Sequence, residues 1–204
     1  MIYVKVNQAI ASRCRAALAL MLFAGSFLGL VGAPSPGQAE PFRHRFGELR
    51  EYHKHWLAVC PDKHIPTSKS EYATTCWAST YRGKVGIFLI DQLSVSRNRQ
   101  TGAYGITFVT DAYERREREP PVSLRFSDGT KMQFSFGNQV VNTRSSNKFA
   151  LAESEVDTVL AAMKRTNGMW LFLPTIRGEE AVRYSMIGVT AALTFTRKYA
   201  NATR

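Results

Sequence analysis

Strict alternation of apolar and polar positions marks the clearest elements of this chain. Val122-Ser-Leu-Arg-Phe126 and Met132-Gln-Phe-Ser-Phe136 each send every second side chain to an apolar face, the period of a half-buried β-strand. Their register follows from the pattern. A two-residue Asp128-Gly129 turn would set Phe126 against Lys131 and Leu124 against Gln133, mixing the faces. A three-residue loop, Ser127-Asp128-Gly129, sets Leu124 against Met132 and Val122 against Phe134. It also puts Gly129 where a type I turn with a G1 bulge needs positive φ. The longer loop is the prediction, because a one-residue slip exposes a whole apolar face.

Shorter apolar runs at 56–59, 72–81, 85–95, 104–110, 170–173 and 181–187 predict further strands. A helical period is clear over about 154–166, where Val156, Val159, Leu160 and Met163 share a face. Ser154 is its expected N-cap, with Asp157 three residues on; Lys164 and Arg165 close the last turn before Asn167-Gly168. Gly188 opens a second, short C-terminal helix over about 189–199. Strands dominate and do not alternate with helices. The predicted fold class is therefore mainly β, an antiparallel β-sandwich with one or two helices rather than a parallel α/β sheet.

The first 39 residues break this pattern. Lys5, Arg13 and Arg15 precede an uncharged stretch at 16–33, and Gly37-Gln38-Ala39 supplies small residues at the −3 and −1 positions of a cleavage site. This is the layout of a cleaved secretory signal. Cys14 lies before the apolar stretch, so it is not a lipoprotein cysteine, and Arg13 and Arg15 are not adjacent, so there is no twin-arginine pair. The expectation is export by the general secretory pathway to the periplasm or beyond, with no stable transmembrane segment after processing. A single domain is expected over 40–204.

Composition then bounds the class. Of 204 residues, 45% are hydrophobic and 21% charged, which excludes a collagen-like, wholly disordered or multi-spanning chain. The formal net charge is +11, from 27 Lys+Arg against 16 Asp+Glu. Three of those cations lie in the signal, leaving 24 against 16, or about +8, on the mature chain. The mature chain keeps two cysteines, Cys60 and Cys76, and two cysteines in an exported protein most simply form one disulfide. Redox motifs hold their cysteines two residues apart, and these are sixteen apart.

Trp56-Leu-Ala-Val-Cys60, followed by Cys76 at the head of Thr-Thr-Cys-Trp-Ala-Ser, resembles the start of the invasion-associated locus B family of exported alphaproteobacterial proteins. Tyr184-Ser-Met-Ile-Gly-Val-Thr-Ala-Ala-Leu193 is similar to that family's closing strand, glycine and Ala-Leu helix. The resemblance spans about residues 52–198. It implies a periplasmic or secreted β-sandwich without known catalytic residues, linked in pathogens to entry into host cells.

Candidate chemistry is sparse. His53-Lys54-His55 would put two imidazoles on one face of a strand, a spacing that can bind zinc or copper, with His64 or His44 as a possible third ligand. A solvated basic N-terminal segment is the plainer reading, and no metal or other cofactor is expected. No Gly-x-Ser-x-Gly elbow or phosphate-loop spacing is present, so catalysis is not expected. Arg97 and Arg99 in a predicted loop, with Arg144 and Lys148, are the candidate anion-binding residues, within a wider basic excess that includes Arg82, Arg197 and Lys198. Their expected partners are anionic envelope or host-surface glycans and lipids; no nucleic-acid-reading motif appears. The sequence thus predicts a non-catalytic envelope protein acting by binding, in host-cell interaction or envelope maintenance. An electrostatic binder of anionic glycolipid or polysaccharide is the alternative, and a histidine-based metal-handling protein the third reading.

Overall fold

Residues 40–62, 71–82, 91–111, 113, 120–143, 147–175 and 178–201 are described by a computed structural model. Their strands are β1 (Phe42–His44), β2 (Glu48–His53), β3 (Trp56–Pro61), β4 (Thr75–Arg82), β5 (Asp91–Asn98), β6 (Tyr104–Val109), β7 (Val122–Phe126), β8 (Lys131–Phe134), β9 (Val140–Asn142), β10 (Lys148–Leu151), β11 (Gly168–Thr175) and β12 (Gly178–Ser185). The helices are a single turn, α1 (Glu71–Thr74), then α2 (Glu153–Arg165) and α3 (Val189–Asn201). The strands form two antiparallel sheets. The large one runs β1-β2-β3-β4-β5-β6-β10-β9 and the small one β12-β11-β7-β8. The expected antiparallel β-sandwich with two principal helices is what forms.

Alternation decides which side of each strand is buried. In the large sheet Leu93, Val95, Ile106, Phe108, Phe149 and Leu151 point inward; in the small sheet Val122, Leu124, Phe126, Met169, Leu171 and Leu173 do. Each such side chain, fully buried, contributes roughly 1.5–3 kcal/mol of hydrophobic stabilisation. Helix α3 packs on the inner side of β2 to β5, and α2 packs on β6 and α3. Helix α2 turns in Val156, Val159, Leu160, Ala162 and Met163, including the four residues its period predicts.

The β7–β8 hairpin takes the predicted register, with Val122 opposite Phe134 and Leu124 opposite Met132. Gly129 sits at φ +89°, its N–H donating to the Phe126 carbonyl at 3.0 Å, and the Phe126 N–H donates to the Thr130 carbonyl at 2.9 Å. Asp128 accepts the Thr130 N–H at 2.9 Å, which holds its carboxyl below the usual carboxylate range. Cys60 and Cys76 form a disulfide between β3 and β4, with Cα atoms 4.4 Å apart, one step on from the Val59–Trp77 pair.

Several boundaries differ from expectation. Helix α2 begins at Glu153, with Ala152 at the N-cap position making no side-chain cap bond. Ser154 lies inside the first turn and donates to Glu155 Oε1 at 3.2 Å; Glu153 and Glu155 supply the negative charge that suits this helix end. Gly168 does not cap α2 but starts β11, and the chain leaves the helix through extended Thr166, whose Oγ1 donates to the Ala162 carbonyl at 3.1 Å. The run at 72–81 opens with the α1 turn and becomes a strand only at Thr75. Of the run at 85–95, residues 85–90 lie outside the described residues, and β5 continues to Asn98. The N-terminal segment expected to be solvated instead forms β1 and β2, burying Glu48, Glu51 and His53. The predicted signal at 1–39 lies outside the described residues.

Candidate functional site

The alternation that turns Val122, Leu124, Met169 and Leu171 inward turns Arg125, Lys131, Trp170, Phe172 and Arg183 to the open face of the small sheet. Register then aligns four of them. Arg183 is opposite Trp170, Trp170 opposite Arg125, and Arg125 opposite Lys131, a single row across all four strands. At the usual strand spacing the row is roughly 14 Å long. The Arg183 guanidinium lies 5.3 Å from the centre of the Trp170 ring, and that of Arg125 lies 4.1 Å from the Phe172 ring. The three cations are exposed and the two rings half-buried. No carboxylate among the described residues pairs with Arg125, Lys131 or Arg183. Arg125 and Lys131 lie directly opposite each other, and like charges in that position repel.

At its β12 end the row opens into a groove of about 410 Å³, lined in part by His55, Tyr81, Arg82, Trp170, Arg183 and Ser185. One wall is the β2–β3 turn, where Lys54 at φ 57° is the single non-glycine among the described residues in the left-handed region. That turn is pinned to the β12–α3 corner. His55 Nδ1 is 2.6 Å from Ser185 Oγ, Trp56 Nε1 donates to the Ser185 carbonyl at 2.9 Å, and the His55 N–H donates to the Ile187 carbonyl at 3.4 Å. Gly188, at φ +100°, lies so close that a Cβ there would be 1.9 Å from the His53 carbonyl oxygen. A serine beside a histidine raises the question of a nucleophile. Here Ser185 Oγ also accepts the Ile187 N–H at 3.3 Å, and no carboxylate among the described residues bonds His55 to orient it. The pair fastens the corner.

The residues singled out from the sequence are dispersed. Arg97 lies at the end of β5 on the inner side, its guanidinium 4.8 Å from the Tyr104 ring. Arg99 is buried: its Nη1 donates to the Pro61 carbonyl at 2.9 Å and its N–H to the Thr74 carbonyl at 2.8 Å. It ties β5 to the ends of β3 and α1 instead of facing a ligand. Lys148 sits on the outer face of the large sheet, away from both, and Arg144 lies outside the described residues. Arg82 is at the groove. The row has no signature within the sequence of any one strand. Its outward positions are readable from alternation, but alignment depends on β11 lying between β7 and β12.

The histidines also separate. His53 ends β2 and points inward under α3, against the Phe195 ring, with a Glu51 carboxylate oxygen 3.4 Å from its Nε2. His55 lies beyond the turn at Lys54 and faces Ser185, so the two rings do not share a strand face. His64 lies outside the described residues, and these hold no group of three or more His, Cys, Asp or Glu side chains suited to a metal.

Burial lowers the His53 pKa from its ordinary value of 6.5, with the Glu51 carboxylate opposing the shift. The fold therefore favours the neutral ring. The unfolded chain binds the proton more readily, so this stabilisation is complete above about pH 6.5 and is lost as pH falls toward the folded value. Thermal melts of the protein are expected to show Tm falling from pH 7 to pH 5, and His53→Gln is expected to flatten part of that fall.

Compared with protein-family models, curated proteins and solved structures, the chain has no significant match. Among the described residues no helix is long and apolar enough to cross a membrane.

Proposed function

We propose that this protein is a non-catalytic, exported envelope protein related to the invasion-associated locus B proteins, and that it works by binding anionic polysaccharide or glycolipid on the open face of the small sheet. The Arg183–Trp170–Arg125–Lys131 row carries this reading. Guanidinium groups recognise carboxylate, phosphate or sulfate with paired hydrogen bonds. Phe172 and Trp170 carry the Arg125 and Arg183 guanidinium groups over their rings, which holds these cations oriented for an anionic substituent of the saccharide. An anion also relieves the repulsion within the row. Export is supported by the N-terminal pattern, and the Cys60–Cys76 disulfide suits an oxidising compartment. Such binding would serve contact with host-cell glycans or upkeep of the envelope.

The mature chain is expected to be retained on heparin and on lipopolysaccharide at low ionic strength and released as salt screens the charges. Combining Arg125→Glu with Arg183→Glu is expected to weaken retention at least about tenfold, since each charged hydrogen bond is worth roughly 1.5–3 kcal/mol and 1.4 kcal/mol is a factor of ten. Unchanged affinity in that double variant, or no binding at low salt, would reject the reading.

A further inference from the structure

On the far side of the sandwich the outer face of the large sheet carries a second concavity. Outward positions of β4, β5, β6 and β10 line a cleft of about 270 Å³ with Trp77, Gln92, Ser94, Thr107, Val109 and Lys148 among its walls. Register brings them together: Lys148 is opposite Val109 and Val109 opposite Gln92, while Thr107 is opposite Ser94. A solvent-facing sheet ordinarily presents long polar side chains. Here short hydroxyl residues leave a hollow between an indole at one end and a lysine at the other.

The polar groups of this hollow are held in place. Gln92 Nε2 donates to Ser94 Oγ at 2.6 Å and to Ser79 Oγ at 3.3 Å, and the two serine hydroxyls are 2.7 Å apart. That fixes the amide and leaves Gln92 Oε1 as an acceptor to which no described residue donates. Thr107 adds a hydroxyl that both donates and accepts, and Lys148 adds up to three donors with a positive charge. A fixed acceptor, a two-way hydroxyl, a cation and an indole in one concavity match a ring rich in hydroxyl groups with one anionic substituent. The volume falls just below the roughly 300–1,000 Å³ of drug-sized ligand sites, which limits the occupant to about one ring.

We infer that this cleft is a second saccharide site, taking a single sugar ring that bears a carboxylate or phosphate, with the ring against Trp77 and the anion at Lys148. It stands apart from the basic row of the small sheet and does not depend on it.

The test is a two-dimensional amide and indole NMR titration of the mature chain with glucuronate, glucose 6-phosphate and glucose, the Trp77 indole signal being assigned with Trp77→Phe. Saturable shifts of that indole and of the β4–β6 amides are expected with glucuronate or glucose 6-phosphate, the stronger of the two showing which anion is preferred. Glucose is expected to bind at least several-fold more weakly. Lys148→Gln should remove the preference for the charged sugars, and Thr107→Trp, which fills the hollow, should abolish the response while the rest of the spectrum reports an intact fold. Arg125→Glu with Arg183→Glu should leave the response unchanged. No Trp77 response to any of the three sugars, equal response to glucose, or persistence in Thr107→Trp would overturn the inference, whatever heparin retention shows.

Discussion

Gly188→Ala is expected to destabilise the protein by about 3 kcal/mol or more, a large part of the 5–15 kcal/mol that holds a typical domain together. Two causes act at once. At φ +100° a side chain is strained, at a cost of roughly 1–2 kcal/mol. The Cβ would also lie 1.9 Å from the His53 carbonyl oxygen, so the β2–β3 turn must move, loosening the Trp56–Ser185 and His55–Ile187 hydrogen bonds. Gly129→Ala separates the causes, because Gly129 has φ +89° and nothing within 4 Å of its would-be Cβ. That variant is expected to lose only about the backbone strain of 1–2 kcal/mol. Equilibrium urea unfolding of both variants checks this, and equal losses would show that the Gly188 contact is unimportant.

Replacing both Cys60 and Cys76 by alanine is the other change expected to be severe. The bond closes a loop with a sequence separation of 16, for which loss of the cross-link is worth about 3 kcal/mol through the entropy of the unfolded chain. Both cysteines are buried, 2% and 0% exposed, so alanine avoids placing a hydroxyl in an apolar site. Urea unfolding of the wild type with and without dithiothreitol provides the comparison. Reductant should bring the wild type down to about the stability of the double variant and leave that variant unchanged; an unfolding midpoint insensitive to reductant would contradict the expectation.

How much of this was legible depended on where specificity resides. The β7–β8 hairpin was readable to the residue, because only one loop length keeps Leu124, Met132, Val122 and Phe134 on one face. Helices α2 and α3 were readable from period and from Gly188. Strand β2 was hidden because it buries polar side chains: Glu51 and His53 face each other in the interior, and on the opposite face of the strand Glu48 is buried against Arg50. Such pairing is settled by tertiary structure, and hydrophobic pattern does not reveal it. The short strands β9 and β10 span too few residues for a period to show. At the sites, charge clustering pointed to Arg97 and Arg99, yet the Pro61 carbonyl draws Arg99 inside. Arg125 and Trp170 looked like ordinary outward positions of two separate strands. Their significance comes from pairing between strands distant in sequence.

The corner where Gly188 meets His53 also ties together parts of the chain that are far apart in sequence. It joins the second strand of the described chain to the start of its last helix, and that helix covers the inner side of β2 to β5. Until the 13 residues of Val189–Asn201 dock, the inner side of β2 to β5 lacks part of its cover, however well the earlier strands are made. Contacts this distant in sequence close slowly and late. Docking of this helix, rather than pairing within the large sheet alone, is the step that closes the inner side of β2 to β5.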